Sequence, residues 1–454
     1  MMYRNLLTVD RIRPSSRGTR EIIEEVESDR SRVLYSAAFR RLQRKTQVFP
    51  LENNAAVRTR LTHSLEVAHV GRFIAGKVLD ILDSADKREA WGLDGAYGHA
   101  FTTNVEVACL LHDIGNPPFG HFGEIAVSKW FNAFDGLPDL DKTDFVRFDG
   151  NAQGFRIVSK LAGSDGDTGM NLTLTQLASI LKYPTTSDEK TRYKKFGVFQ
   201  SEKSVLDCIR SRFSMKVGQR FPLAYLMEAA DDISYCLSDI EDGIEKRIVD
   251  FDTIMRRLRE ETEGDEEVMR IIDNAHSAAK AAPAVDQVVS FRSNLIRQLV
   301  EFAAEEFVDK HDAILCGDMD DLIPSSSAQG RLLKTVKKVV RTEVYSHASV
   351  QALELAGLSA ISGLLTHFGP VLRIDRATFG ELCVPGARVE GCDVEKRLAD
   401  YFAPRHRAVY DSATKSCGDS DELTCRARLI VDYVSGMTDL FALETHQVLG
   451  GIRI

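Results

Sequence analysis

The sequence predicts an all-α fold. Apolar residues recur at helical spacing through most of the 454 residues, strand-like alternation is scarce, and breaks rich in Gly, Asp or Pro separate the runs. Helical periods are expected at about residues 29–47, 63–83, 103–113, 151–162, 172–182, 201–212, 222–243, 252–263, 285–307, 327–366 in two pieces, and 420–444. Gly- and Asp-rich breaks fall at 135–150 and 163–171, a charged Thr, Lys and Tyr segment at 184–196, and an Asp, Ser and Pro break at 316–327. None is long enough to be an independent linker, and no internal repeat is present.

The first run is basic. Between Arg30 and Arg60 the cations Arg30, Arg32, Arg40, Arg41, Arg44, Lys45, Arg58 and Arg60 face a single acid, Glu52, a balance that suits a polyanion. Pairing with Glu24, Glu25, Glu27 and Asp29 on a solvated face is the plainer reading for most of them. Arg60 is the exception, one helical turn before His63. In the second run Leu65, Ala68, Phe73 and Ile74 face inward, and His63 in its first turn is placed to ligate a metal.

The third run, with Val105, Val107, Ala108, Leu110 and Leu111, closes on His112-Asp113. Adjacent side chains diverge by about 100° on a helix, so both reach one ion only where the helix ends. Gly115 and Pro117-Pro118 supply that end. Over 222–243, Leu226, Ala229, Ala230, Ile233 and Leu237 form one stripe, and Asp231, Tyr235 and Asp239 recur every four residues beside it. An Asp231-Asp232 pair in so apolar a run needs a partner such as a metal or an arginine.

Composition agrees with a large enzyme. At 44% hydrophobic and 28% charged, the chain can bury a substantial core, which excludes a small binding module. With no run of about 18 apolar residues and no signal-type segment, a cytoplasmic protein without membrane contact is expected. Eight cysteines show no CxxC pair, and Cys109, Cys208 and Cys236 sit among apolar residues as reduced core thiols would. A net charge of −9 argues against unspecific coating of nucleic acid.

The order His63, His112-Asp113, Asp231 resembles the HD phosphohydrolase superfamily. The segments Leu34 to Val48, Arg60-Leu61-Thr62-His63-Ser64, His112 to His121, Glu228 to Tyr235, and Tyr433 to Asp439 narrow the likeness to the deoxynucleotide triphosphohydrolases, and within them to the bacterial dGTPase branch. The resemblance implies an HD-type helical core with a C-terminal helical extension. Because the ligand candidates run from 63 to 231, we expect residues 1–310 to fold together as the catalytic core and 311–454 to form the extension, carrying oligomer contacts.

It further implies a divalent metal on His63, His112, Asp113 and Asp231. Two imidazoles and two carboxylates accept Mn, Mg, Fe, Co, Ni or Zn, and the residue types do not choose among them. The implied reaction is attack at the α-phosphorus of dGTP, and of other dNTPs, with release of intact tripolyphosphate. His121 with Glu124 offers the general acid or base; a helix cap with a dipole-matching acid is the plainer alternative. Asn116 is a candidate phosphate contact or a turn residue.

By resemblance, Gln47 and Val48 lie near the deoxyribose, Tyr235 covers the sugar face where a 2′-hydroxyl would sit, and Asp239 accepts from the 3′-hydroxyl. Arg60, Asn151 and Lys182 would hold the triphosphate, and Tyr183 would line the nucleotide pocket. The bland alternatives are core aromatics for the tyrosines, a surface ion pair for Asp239, and a solvated helix end for Lys182. The family also implies homo-oligomers, often hexamers, and a nucleotide or single-stranded DNA effector, for which Lys334, Lys337, Lys338, Arg341, Arg397, Arg405 and Arg407 offer either basic grooves or solvated faces. Competing functions are hydrolysis of nucleoside monophosphates or guanosine polyphosphate alarmones, and a non-catalytic scaffold for nucleic acid or regulation.

Overall fold

Thr59 shows how local chemistry sets the scaffold. Its side chain accepts from the Thr62 amide while the Thr62 hydroxyl accepts from the Thr59 amide, a reciprocal cap that starts helix Arg60–Ser84 with Arg60 and His63 in its first turn. The computed structural model describes all residues except 1, 17, 19, 138, 164, 165, 281, 282, 284–286, 416 and 454, together with the side chains at 139–141 and 236. Among the described residues there is no strand, only single bridges between Arg11 and Thr173 and between Thr46 and Thr59. The all-α expectation holds.

The main helices are α1 (Ile22–Leu34), α2 (Arg60–Ser84), α3 (Ala96–Leu111), α4 (His121–Asn132), α5 (Pro222–Glu245), α6 (Gln287–Asp309), α7 (Ala328–Val340), α8 (Ala348–Phe368), α9 (Asp419–Ser435) and α10 (Asp439–Leu449). They serve two apolar cores. In the first, α2, α3 and α5 meet through Val67, Ile74, Val78, Val105, Ala108, Leu226, Ala230 and Ile233, all fully buried, with α6 closing one side. In the second, Phe131 of α4 packs with Ile361, Leu365 and Phe368 of α8 and Ile430 and Val434 of α9. Each such aliphatic or aromatic side chain contributes about 1.5–3 kcal/mol on burial.

Several boundaries differ from the periodicity. The run expected at 29–47 breaks at Tyr35 and Ser36, where Ser36 accepts from the Phe39 amide and caps a new short helix, Ala37–Arg41. The run at 420–444 breaks likewise at Gly436 to Thr438, with Thr438 capping α10. Helices Asp139–Val146, Glu266–Lys280, Arg376–Leu382, Asp393–Asp400 and Pro404–Thr414 are additional; Glu266–Lys280 buries only Val268, Ile272, Ala275 and Ala279, and two alanines leave a faint stripe. The N-terminal cations find acids across helices: Arg30 meets Glu106 at 2.9 Å, and Arg58 meets Glu66 at 2.8 Å and Asp242 at 2.7 Å. Cys109 is buried as expected, Cys208 is exposed, and the Cys236 side chain lies outside the described residues. By length and composition Ala348–Leu372 is apolar enough to cross a membrane, but half of it is buried, with Ile361, Leu364, Leu365 and Phe368 in the second core.

Candidate active site

Four side chains, two from helices and two from the turn that ends a third, meet where the two cores adjoin. His112 caps the C-terminus of α3, and its Nδ1 lies 2.6 Å from the Cys109 carbonyl. A carbonyl only accepts, so Nδ1 carries the proton and Nε2 offers its lone pair. That Nε2 is buried without a hydrogen-bond partner, as is Nδ1 of His63. Oδ1 of Asp231, from α5, lies 3.3 Å from His63 Nε2 and 3.5 Å from His112 Nε2. Donor atoms of His63, His112 and Asp113 lie within 4.8 Å of one another. Burial opposes charge on Asp231, yet the two imidazoles outweigh it and hold the carboxyl well below the usual range. The orphaned His112 Nε2 and the His63 Nε2 converging on carboxylate oxygens fit a divalent cation.

The turn after His112 is held from all sides. A Cβ on Gly115 would come within 2.0 Å of the Gly154 nitrogen and 2.1 Å of the Gly150 carbonyl, so glycine here permits close packing against helix Gly150–Arg156 as well as ending α3. Arg60 Nη1 reaches Asp113 Oδ2 at 2.5 Å, and the Asn116 side-chain amide donates to Asp113 Oδ1, so both residues orient a ligand candidate. The Asn116 carbonyl accepts from Lys45, whose ammonium also donates to the Ser435 carbonyl at 2.8 Å. Burial pushes Lys45 down to about 7. Asp439 accepts from the Phe119 amide at 3.0 Å and the Thr46 amide at 2.9 Å, clasping both segments beside the site.

His121 begins α4 after Gly120, whose φ of +55° turns the chain. Its Nδ1 lies 2.9 Å from Glu124 Oε2, while Glu124 Oε1 accepts from the Gly150 amide at 2.7 Å. The carboxylate is thereby anchored before it orients the ring. The Glu124 hydrogen bond raises the His121 pKa, against a smaller effect of burial.

A cleft of about 580 Å³ opens over these groups, ample for a nucleotide. Gln47, Val48, Arg60, Asp113, Asn116, His121, Glu124, Asn151, Asp231 and Tyr235 line it, with His63 and His112 buried beneath. Lys182 and Tyr183 do not line it: Lys182 pairs with Glu228 at 3.1 Å, with the Tyr183 ring 5.8 Å from its ammonium. Asp239 is fully buried, hydrogen-bonded to the Tyr345 hydroxyl. The walls also hold Lys195, Lys337, Tyr345 and Glu354, which the sequence reading did not assign to the site. Lys195 meets Asp149 at 2.6 Å and Lys337 meets Asp232 at 2.8 Å. The charged segment 184–196 was the signal for Lys195; Tyr345 and Glu354 left none.

Residues 60–235 match the HD domain family, a span holding all four ligand candidates, and residues 387–448 match the phosphohydrolase-associated domain. Two curated relatives, the deoxyguanosinetriphosphate triphosphohydrolases of Salmonella typhimurium strain LT2 and of Salmonella paratyphi A, are each 38% identical over 99% of this chain and 99% of their own length. The chain belongs to the deoxyguanosinetriphosphate triphosphohydrolase family. It is a metal-type HD enzyme in architecture, and the phosphohydrolase-associated segment of the family is the one that supplies Asp439 and the Ser435 carbonyl to the active-site turn.

Proposed function

We propose that the chain hydrolyses dGTP, with other dNTPs as further candidate substrates, to the deoxynucleoside and tripolyphosphate. The observation that carries this reading is the convergence of His63, His112, Asp113 and Asp231 beneath a nucleotide-sized cleft with the His121 and Glu124 pair at its wall. His63, His112, Asp113 and Asp231 would hold one divalent ion, one of Mn, Mg, Fe, Co, Ni and Zn. Such an ion supplies Lewis acidity toward phosphoryl oxygens and lowers the pKa of water.

The remaining work falls to side chains. Glu124 keeps the proton of His121 on Nδ1, and the protonated ring gives its Nε2 proton to the departing 5′ oxygen as water adds to the α-phosphorus and releases one of its own protons to solvent, from which the ring is reprotonated. The P–O5′ bond breaks, and tripolyphosphate leaves whole. Arg60 and Asn116 orient Asp113 and, with Asn151, face the phosphates; Lys182 stands behind them, paired with Glu228. Gln47 and Val48 line the sugar side, Tyr235 blocks a ribose 2′-hydroxyl, Asp239 accepts the 3′-hydroxyl, and Tyr183 stands beyond the nucleotide end.

We assign residues 1–310 to the catalytic core and 311–454 to an extension that braces it and carries homo-oligomer contacts, in a hexamer as the family resemblance implies. Of the cations expected to serve a single-stranded DNA or nucleotide effector, Lys337 and Lys338 pair with Asp232 and Glu261, while Arg405 lines a separate groove of about 930 Å³ with Arg13, Arg32 and Tyr35, which is the place we assign to such an effector. A cytoplasmic location completes the reading. Anion-exchange analysis of products tests the reaction, with each dNTP and GTP supplied separately alongside Mn²⁺ or Mg²⁺. Deoxyguanosine and intact tripolyphosphate from dGTP, with GTP spared, are the expected result. Orthophosphate, or turnover of monophosphates or alarmones alone, would overturn it.

A further inference from the structure

Tyr345 joins the site from far along the chain. It ends a π-helical turn, Arg341–Tyr345, that continues α7, and it reaches back to α5 between Tyr235 and Asp239. A π turn carries one extra residue, which re-aims the side chains that follow. Two contacts hold the turn in place. Glu343 pairs with Arg257 at 2.9 Å, and buried Val344 packs on Gly243, where a Cβ would come within 2.8 Å of the valine methyl. Gly243 lies one helical turn beyond Asp239, so the close approach of the π turn and the position of the Tyr345 hydroxyl are set together.

Proton counting gives the contact a direction. The Tyr345 oxygen lies 2.5 Å from the Tyr235 oxygen and also bonds Asp239 Oδ2. An ionised Asp239 only accepts, so in that state the single Tyr345 proton goes to Asp239, and the Tyr345 oxygen is left to accept from Tyr235. The resulting relay runs from Tyr235 through Tyr345 to Asp239. It has two consequences. Tyr235 has spent its donor and turns a ring, rather than a hydroxyl proton, toward the sugar. Asp239 is pinned by one oxygen, and its other oxygen, Oδ1, is buried with no protein donor. Such an orphan acceptor is costly unless a ligand satisfies it.

We infer that Tyr345 is a positioning residue for sugar recognition, holding Asp239 so that Oδ1 alone is presented to the 3′-hydroxyl of the substrate. The inference rests on the proposed reading of Asp239 as the acceptor for that hydroxyl. Without the Tyr345 hydroxyl, Asp239 can rotate and satisfy itself elsewhere, and the preference for a 3′-hydroxyl weakens while metal binding and the reacting groups are untouched.

The test compares kcat/KM for dGTP and 2′,3′-dideoxyguanosine triphosphate in the full-length metal-loaded enzyme, in the natural sequence and in Tyr345→Phe, with Mn²⁺ affinity and melting temperature measured for both. The natural sequence is expected to prefer dGTP by roughly 10- to 100-fold, the range of one hydrogen bond to a charged group. Tyr345→Phe should lower that ratio at least about 5-fold, and Gly243→Ala, which pushes the π turn away, should lower it less. If the natural enzyme does not discriminate between the two nucleotides, the Asp239 reading falls and takes the inference with it. If it discriminates and Tyr345→Phe keeps the same ratio, whether or not both rates drop together, the Tyr345 inference alone is overturned.

Discussion

The two histidine regions of the site are built in opposite ways. His63 and His112 lie on the first core with side chains 1% and 5% exposed, and each faces Asp231. His121 stands on the second core with a side chain 75% exposed, held by Glu124. The difference separates two tasks. Holding an ion needs donors that are dry, fixed and few in conformation, whereas moving a proton needs a ring that reaches substrate and exchanges with solvent. Because the two regions belong to different apolar cores, the distance from His63 and His112 to His121 is set by how the cores are fastened together.

The sharpest way to break the comparison is Asp231→Ala, which should abolish Mn²⁺ binding and turnover together, read by calorimetry and by product release; activity without the ion would dissolve the distinction between the regions. His121→Ala should keep Mn²⁺ affinity and lose about 10²- to 10⁴-fold in kcat. Asp439→Ala acts on the fastening. It leaves the Phe119 and Thr46 amides without their acceptor, so stability should fall by about 1–3 kcal/mol in denaturant titration, and kcat should drop while the ion is still bound. The smallest effect is expected from Glu124→Gln. Glu124 raises the His121 pKa, so an acid at His121 stays protonated to higher pH; without the carboxylate, the alkaline limb of kcat/KM should move to lower pH. An unmoved limb would remove His121 as the proton donor.

What could be read from the chain follows from sequence distance. His112-Asp113 and the Asp231, Tyr235, Asp239 series were legible because helix geometry relates neighbours three or four residues apart. Arg60 was legible for the same reason, one turn before His63. Lys45 was counted only as one cation among eight, because its partners, the Asn116 and Ser435 carbonyls, stand 71 and 390 residues away. Tyr345 hid in a π turn that periodicity reads as ordinary helix. Lys182 and Tyr183 stand outside the cleft because a short irregular segment after Leu174–Ser179 aims them at Glu228 and Tyr193, a path no local pattern encodes.

The Asp439 clasp also orders events in time. Its partners Thr46 and Phe119 lie 393 and 320 residues upstream, so during synthesis the ligand-bearing helices are made and can begin to pack long before the carboxylate that steadies the turn between them leaves the ribosome. A nascent chain can therefore bring its histidines together early and still lack a settled turn at Thr46 and Phe119. The clasp closes last, with the helix that begins at Asp439.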